Sequence, residues 1–396
     1  MKNYFTNLRV IEISTALAGP YCAQILGDMG ADIIKVENPK NSDVTRNWGA
    51  NATESLKSYY ISCNRNKKSL TLNLKTEEGR ELFYKIIEDT DVLIENFRPG
   101  VTKKLQIDYD TLKQINSRLI YTSITGFGAT GPEAKRPGYD LIAQGMGGVM
   151  GLTGDKDGKP HKVGVSIADM FAGIFAANGT LSALLQREKT GKGQLVETSL
   201  LSTQVALLSF QAQKFLATGE SPSRIGNEHP DITPYETFTT QDGYINIGVG
   251  TEKFWQKFCE VTGLIELMND SRFETNSKRL SNRPELIGFI ESKTSLFKRD
   301  ELLKLLSDNA IPCGPINTIQ EVFESPQVKH LDMILDVTHP REGKMKVVGF
   351  PVKFSDTPGQ INLAPPLLGE HNTQILSEYL DITPTAIEKL MKAGAI

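Results

Sequence analysis

The chain has 396 residues, of which 39% are hydrophobic and 23% charged, and its formal net charge is −3. This composition is typical of a folded chain long enough for two domains, and it excludes a disordered protein. Because basic residues are not in surplus, we expect neither nucleic acid nor a membrane as a partner and instead expect a small-molecule ligand.

The first residues and the cysteines indicate the cellular compartment. Residues 1–14 pass from polar residues into a short alternating strand, without the basic and apolar regions of a signal peptide. The four cysteines are far apart and show no CxxC spacing: Cys22, Cys63, Cys259 and Cys313. Such spacing is typical of unpaired thiols in a reducing environment. We therefore expect a cytoplasmic protein.

Strands and helices alternate over the first 127 residues. Strands are predicted over residues 8–14, 31–37, 91–97 and 119–127, and helices from Pro20 and over residues 76–90 and 109–117. This succession predicts an α/β fold with a mostly parallel sheet covered by helices on both faces. Ligands bind such sheets beyond the carboxyl ends of the strands. That rule selects residues 14–19, 37–39, 95–99 and 125–127.

The second half of the chain has a different pattern. Helices are predicted over residues 166–187 and 199–218, and the polar residues 219–234 are typical of a linker. Alternation around Asp242 and Gly243 predicts a hairpin, and helices are predicted over residues 252–263, 283–295 and 299–309. This part is interpreted as a smaller α+β domain. The tail beyond it could belong to either domain.

The segment GFGATG at residues 126–131 matches the GxGxxG pattern of dinucleotide-binding proteins. In that motif a helix begins on the glycines and holds the pyrophosphate. Here Pro132, Pro137 and Gly138 follow, so the sequence predicts a turn-rich loop and no nicotinamide or flavin. The histidines at positions 161, 229, 330, 339 and 371 are scattered, and no metal cluster is predicted.

Two groups of basic residues lie near predicted strand ends: Arg65, Lys67, Lys68 and Lys75, and then Arg98, Lys103 and Lys104. Runs of this kind usually form a solvent-exposed face. Arg98, however, directly follows a strand at the ligand-binding edge, where a guanidinium suits a phosphate-bearing ligand.

Asp169 is the one carboxylate in the apolar residues 163–185. Together with Ser166 it matches the capping-box pattern S-x-x-[DE], which predicts a structural role at a helix start. Alternatively, a helix N-terminus that keeps Asp169 ionised makes it a usable nucleophile among small residues. The residues alone leave both interpretations open.

Several ordered segments together resemble the class III CoA-transferases, the family that contains formyl-CoA transferase and carnitine CoA-transferase. They are AGPYCAQILGDMGADIIKVENP, NKKSLTLNLKTEEG, VLIENFRPG, YTSITGFGATGP, GYDL, ADMFAG, REKTGKGQ and PPLLGEH. The resemblance implies a Rossmann-like large domain built from both chain ends plus a smaller α+β domain, with two ring-shaped subunits interlocked as a homodimer. On this basis residues 1–220 and 330–396 form the large domain and residues 221–329 the small one.

The resemblance also implies the chemistry. Asp169 corresponds to the family's nucleophile, which forms an acyl-aspartyl anhydride and then an aspartyl-CoA thioester. The implied CoA-binding residues are Ala18, Leu72, Asn73, Leu74, Lys75, Asn96, Phe97, Arg98, Lys104 and Tyr139, and the glycine loop over the site falls at Gly248 and Gly250. No metal or tightly bound cofactor is implied, since the CoA thioester is a substrate.

The choice of substrates is less well indicated. Leu17 and Asn38 differ from formyl-CoA transferase, and the segments TRNWG, DGYINIGVG and IPCGPINTIQEVFESPQV are more similar to the succinyl-CoA:glutarate branch. A dicarboxylate acceptor is therefore expected. One alternative is an α-methylacyl-CoA racemase, but Tyr139 stands where that enzyme has its histidine base, and a phenol of pKa about 10 is a poor base. The other is a non-catalytic acyl-CoA-binding protein, which would not require Asp169.

Overall fold

The computed structural model describes residue 5 and residues 7–396. The chain divides into two compact units, the larger comprising Met1–Met150, Lys162–Glu220 and Pro326–Ile396, and the smaller Gly151–His161 and Ser221–Ser325. Two short segments therefore differ from the sequence-based division: residues 151–161 belong to the smaller unit and residues 326–329 to the larger. Hydrogen bonds explain the first difference, because Gly226 N donates to Gly154 O (3.1 Å) and Arg224 donates to Gly158 O (2.9 Å).

A six-stranded parallel sheet forms the centre of the larger unit. Its strands are β1 (Arg9–Glu12), β2 (Asp32–Glu37), β3 (Lys67–Thr71), β4 (Val92–Glu95), β5 (Ile120–Thr125) and β6 (Leu195–Ser199), in the order β3-β2-β1-β4-β5-β6. The predicted parallel α/β sheet is confirmed. Strand order reverses between β1 and β4, which places the topological switch point there. The polar strands β3 and β6 were not expected from hydrophobic alternation.

Helices cover both faces of this sheet. Up to residue 218 the helices of the chain are α1 (Ala18–Asp28), α2 (Ser58–Ser62), α3 (Glu77–Glu88), α4 (Val101–Lys104), α5 (Tyr109–Ile115), α6 (Asp140–Met146), α7 (Val149–Leu152), α8 (Ile167–Thr190), α9 (Leu200–Leu207) and α10 (Ser209–Thr218), with a 3₁₀ helix at Val44–Asn47. The last two residues of α7 belong to the smaller unit. Neighbouring strand residues point to opposite faces, so Val10 packs in the cluster around α1 and α8, whereas Ile11 packs in the cluster with α3 and α5.

The smaller unit contains a three-stranded antiparallel sheet of β7 (Tyr235–Thr240), β8 (Gly243–Gly248) and β9 (Cys313–Pro315). The hairpin predicted around Asp242 and Gly243 joins β7 to β8. Its helices are α11 (Glu252–Thr262), α12 (Ile265–Met268), α13 (Asn276–Ser281), α14 (Arg283–Thr294), α15 (Arg299–Asp308) and α16 (Ile319–Glu324). A separate core that includes Trp255 and Phe258 stabilises this unit.

The chain then returns to the larger unit. This part comprises α17 (Pro326–His330), the hairpin of β10 (Ile334–His339) and β11 (Gly343–Val348), α18 (Asn372–Leu380) and α19 (Pro384–Lys392). Ile375 and Ile387 of the last two helices pack in the same cluster as α3 and α5. The tail, which the residues alone left unassigned, thus completes one face of the large sheet.

The apolar segment that contains Asp169 forms α8. By length and hydropathy this helix could cross a membrane, but a core helix passes the same test, and nearly half of its apolar stretch is buried here. Close packing against α1 depends on Gly173, since a Cβ at this position would lie 2.7 Å from the carbonyl oxygen of Ala18. The helix is buried on this face only, because Phe175 and Leu185 on the other side are exposed.

Four fully buried charges join β1, β2 and β3. The ammonium of Lys35 lies 2.7 Å from Glu12 and 3.0 Å from Asp43, and the ammonium of Lys67 lies 2.7 Å from Glu12. The two ammonium groups outweigh the effect of burial and lower the pKa of Glu12, while burial lowers the pKa of Lys67. Each ammonium group lies against at least one carboxylate, so each charge compensates another.

Substituting Lys67→Met should destabilise the larger unit by about 3 to 5 kcal/mol, because it leaves part of the Glu12 charge buried without its partner. Thermal and urea unfolding measure this effect. The control is Lys113→Met, which removes a lysine from an exposed pair with Asp110 and should leave the transition unchanged. Equal stability of the two variants would contradict the role assigned to the buried charges.

Candidate functional site

A cavity of about 560 Å³ opens at the carboxyl ends of β1 to β4, beside the switch point. Among its lining residues are six of the predicted CoA-binding residues: Leu72, Asn73, Leu74, Lys75, Phe97 and Lys104. Residues from the loops after β1, β2 and β4 also line it, as the sheet-edge rule predicts. The fourth loop selected by that rule, residues 125–127, does not line this cavity.

The loop after β1 is held rigidly at the wall of the cavity. The side chain of Asn96 binds the backbone of Thr15 twice, accepting from its N–H (2.9 Å) and donating to its carbonyl (2.7 Å). Asp43 accepts from the N–H of Ala16 (3.2 Å), which adopts a left-handed φ of +66°. Lys35 donates to the carbonyl of Ser14 (2.9 Å). Asn96 thus uses its amide to position this loop, a role that the sequence did not indicate.

Three exposed lysines surround the cavity: Lys40, Lys75 and Lys104. Over residue 5 and residues 7–396, none of the three has an ion-pair partner, so their charges are available for an anionic ligand. The sheet-edge rule did not select Lys40, because the segment that it gives after β2 ends one residue earlier, at Pro39. Arg98, by contrast, is exposed and does not line the cavity.

Two residues from the first basic group have a structural role. Arg65 makes a bidentate pair with Asp28 (2.9 and 2.6 Å), and Lys67 belongs to the buried charges on Glu12. Both are buried. The expectation of a solvent-exposed face is therefore wrong for these two residues, because each is neutralised by a carboxylate that is distant in sequence.

Asp169 lies in the first turn of α8, one turn before Gly173 and on the same side of the helix. Since Gly173 contacts Ala18 at the start of α1, the carboxylate lies at the end of α8 that packs beside the loop after β1. Burial, together with the Asp140 carboxylate, raises the pKa of Asp169 to about 7. In the part of the chain that the structure describes, its carboxylate has no hydrogen-bond or ion-pair partner.

The predicted capping box is absent. Ser166 precedes α8 but forms no side-chain hydrogen bond to the helix end. The first turn is capped by Asp140 of α6, which accepts from the N–H of Ala168 (2.9 Å). The helix end therefore stabilises the charge of Asp140 more directly than that of Asp169.

This arrangement also corrects the expected ionisation of Asp169. The sequence predicts that the helix N-terminus keeps this carboxylate ionised, with a pKa near its ordinary value. Burial and the like charge of Asp140 have the larger effect and raise the pKa. A carboxylate near its midpoint at neutral pH is more basic, and therefore more nucleophilic when ionised, than an ordinary aspartate.

The other predicted residues lie outside the cavity. Ala18 begins α1 and is buried against α8, and Tyr139 precedes α6 with an exposed side chain. Gly248 ends β8 and Gly250 follows it, both in the smaller unit. Over residue 5 and residues 7–396, no group of three or more His, Cys, Asp or Glu residues could hold a metal ion.

Substituting Asp169→Asn removes a buried charge while keeping the side-chain shape. In the unfolded chain the carboxyl group of Asp169 has a pKa of 3.8, so the folded protein binds this proton more tightly than the unfolded chain does. The stability that this tighter binding contributes is fully present below pH 3.8 and is lost as the pH rises through about 7. The variant should thus exceed the wild type in stability by about 2 to 4 kcal/mol at about pH 8. The difference should shrink as pH falls from about 7 to about 4.

Urea unfolding of both proteins across this pH range measures the effect. Glu188→Gln, which changes an exposed carboxylate on the same helix, is the control and should show no such pH dependence. A stability difference between Asp169→Asn and wild type that does not vary with pH would contradict the raised pKa.

Comparison with known proteins identifies the family. A family model described as CoA-transferase family III matches residues 5–372. The succinate–glutarate CoA-transferase of Agrobacterium fabrum is 40% identical over 387 residues, covering 96% of this chain and 97% of that protein. The succinyl-CoA:glutarate CoA-transferase of Mus musculus is 39% identical over 389 residues, covering 98% of this chain and 89% of that protein. The crystal structure of a CAIB/BAIF family protein from Brucella suis superposes with a TM-score of 0.87 and 43% identity, covering 96% of this chain and 100% of that one.

These matches extend over nearly the whole chain and agree with the resemblance carried by the sequence motifs. The chain belongs to CoA-transferase family III.

Proposed function

We propose that this protein transfers CoA from succinyl-CoA to a dicarboxylate such as glutarate, with Asp169 as the covalent nucleophile. The observation that carries the proposal is the environment of Asp169: a partly exposed carboxylate without a partner, held at the end of α8 beside α1 and the loop after β1. The choice of substrates is supported by the two relatives above, whose names both pair succinate or succinyl-CoA with glutarate.

The cycle needs no group beyond this carboxylate and the two substrates. The ionised Asp169 attacks the thioester carbonyl of the donor, CoA thiolate leaves, and an acyl-aspartyl anhydride forms. The thiolate then attacks the aspartyl carbonyl of the anhydride, which releases the donor acid and leaves an aspartyl-CoA thioester. The acceptor carboxylate attacks this thioester and expels the thiolate. The thiolate finally attacks the acceptor carbonyl of the new anhydride, so that acceptor acyl-CoA leaves and the carboxylate is regenerated.

The raised pKa of Asp169 influences each half of this cycle. Only the ionised form attacks, so the rate of acyl transfer should rise with pH up to about 7. The like charge of Asp140 destabilises the free carboxylate of Asp169, and acylation removes that repulsion. The environment therefore favours the covalent state relative to an ordinary aspartate.

The cavity at the switch point suits the nucleotide part of CoA. Its volume of about 560 Å³ and its mostly apolar side walls fit an adenosine group. Lys40, Lys75 and Lys104 at its rim provide ammonium groups for phosphates. Ala18, Asn96, Arg98 and Tyr139, which do not line this cavity, remain proposed contacts of CoA, as does Phe97 within it.

With succinyl-CoA and glutarate as substrates, Asp169→Asn should lower kcat by at least about 1000-fold, because the nucleophile is lost. Wild-type protein incubated with succinyl-CoA and hydroxylamine should acquire a hydroxamate on Asp169, detected by peptide mass spectrometry.

Glu188→Gln is the matched carboxylate control and should keep wild-type activity. Acyl transfer by Asp169→Asn at the wild-type rate, or absence of the hydroxamate, would overturn the covalent mechanism. Exchange of the α-proton of an acyl-CoA without CoA transfer would favour the isomerase alternative. Malate, itaconate, formate and oxalate, assayed beside glutarate, test the acceptor class, and preference for formate or oxalate would overturn the dicarboxylate assignment.

The protein is also proposed to form an interlocked homodimer. Large apolar side chains are exposed on the three consecutive helices α8, α9 and α10: Ile174, Phe175, Leu185, Val205, Phe210, Phe215 and Leu216. An exposed apolar surface concentrated on consecutive helices typically marks a protein–protein contact. A symmetric pair of chains would remove it from water.

Sedimentation velocity at about micromolar concentration should show the mass of two chains. Leu216→Glu should weaken this association, whereas Leu296→Glu, at a similarly exposed position in the smaller unit, should not. A wild-type protein that sediments as a single chain would contradict the dimer.

A cytoplasmic location is proposed from the thiols. Cys22, Cys63, Cys259 and Cys313 are all unpaired in the structure. Unpaired cysteines are typical of proteins in reducing compartments.

A further inference from the structure

Residues 394–396 contact the wall of the ligand cavity. Nothing in the sequence of these three residues suggests this contact. After α19 ends, Gly394 adopts a left-handed φ of +70°. Its N–H donates to the carbonyl of Met391 (3.0 Å), and the N–H of Ala395 donates to that of Leu390 (3.0 Å). This pair of bonds is a Schellman motif, which ends the helix and redirects the chain.

The carbonyl groups that follow this motif bind Asn73. The backbone N–H of Asn73 donates to the carbonyl of Ala395 (2.8 Å), and its side-chain Nδ2 donates to that of Gly394 (3.3 Å). Ala395 and Ile396 are buried, and Ile396 packs in the same core cluster as Leu72. Residues 394–396 therefore hold Asn73 through both hydrogen bonds and apolar packing.

The side-chain oxygen of Asn73 binds segments that line the cavity. Its Oδ1 accepts from Nδ2 of Asn38 (3.1 Å) and from the N–H of Lys75 (3.3 Å). Asn38, Asn73 and Lys75 all line the cavity. Asn73 thus joins residues 394–396 to the two loops that carry Lys40 and Lys75.

We propose that residues 394–396 position residues 72–75 for CoA, so that they set the affinity for CoA without taking part in acyl transfer. The inference rests on the proposed function, because it takes CoA as the ligand of the cavity. Its physical basis is preorganisation: a segment held in its binding conformation loses less conformational freedom when the ligand binds. Residues 394–396 are positioning residues and do not touch the reacting atoms.

Gly394→Ala tests this role. A Cβ at this position would meet no atom within 4 Å, so the change disfavours the left-handed conformation without a clash. By isothermal titration with free CoA, the Kd should rise about threefold to tenfold. The kcat at saturating succinyl-CoA should stay within about twofold of wild type. Gly394→Asn should restore the affinity, since Asn tolerates this conformation.

Gly263→Ala is the matched control. Gly263 ends α11 in the smaller unit with a φ of +73° and the same two hydrogen bonds, from its own N–H to Glu260 O (3.4 Å) and from Leu264 N to Cys259 O (2.8 Å). We expect this variant to lower the Tm about as much as Gly394→Ala while keeping the wild-type Kd.

Each outcome decides the proposal. Wild-type affinity in Gly394→Ala would overturn it, as would an equal loss of affinity in Gly263→Ala, which would indicate general destabilisation. A fall in kcat with unchanged Kd would also overturn it. If the wild-type protein does not bind CoA at all, the proposed function itself is overturned. This result is distinguishable from a failure of the positioning role, because it is measured on the wild type before any variant is compared.

Discussion

The larger unit depends on one constraint: the charges of Glu12, Lys35, Lys67 and Asp43 are buried together and must compensate one another. A buried charge without a partner costs several kcal/mol, so these side chains permit only one register of β1, β2 and β3. The same groups extend to the ligand edge, where Lys35 binds the carbonyl of Ser14 and Asp43 binds the N–H of Ala16. The conformation of the loop at the switch point thus follows from charge compensation inside the sheet.

The environment of Asp169 arises from a competition between a helix end and burial. A helix N-terminus lowers the pKa of a nearby carboxyl, whereas removal from water and a like charge raise it. Asp140 takes the favourable hydrogen bond to the helix end. Asp169 is left partly buried beside this second negative charge. The resulting carboxylate is costly for the fold at neutral pH, which is typical of functional groups and atypical of caps that only stabilise a helix.

Small residues connect these two regions. Gly173 allows α8 to approach the first residue of α1 more closely than any side chain would permit. Since α1 begins directly after the loop at the switch point, this contact brings the end of α8 that carries Asp169 to the same edge of the sheet as the cavity. The other end of the chain reaches this edge too, through the hydrogen bonds of residues 394–396 to Asn73.

Local patterns predicted much of this architecture. Hydrophobic periodicity located β1, β2, β4 and β5 and the helix α3, because these features depend on which residues a strand or helix buries. Alternation missed β3, whose sequence KKSLT is typical of a surface segment. The buried charge of its Lys67 is compensated by the carboxylate of Glu12 on β1, and a pairing between residues so far apart in sequence leaves no local signal.

The same distinction applies to the site. The sequence by itself determined the family, the βαβ order, the loops after β1, β2 and β4, and Asp169 as the candidate nucleophile, since ordered motifs and strand ends can be read along the chain. Only the tertiary structure decided that Asp140 and not Ser166 caps α8, that Asn96 holds the backbone of Thr15, and that Gly394 and Ala395 hold Asn73. Each of these contacts joins groups separated by 28 to 322 residues along the chain. The physical reason is that pKa values and hydrogen-bond partners depend on which groups burial brings together, and the spacing of residues along the chain does not contain that information.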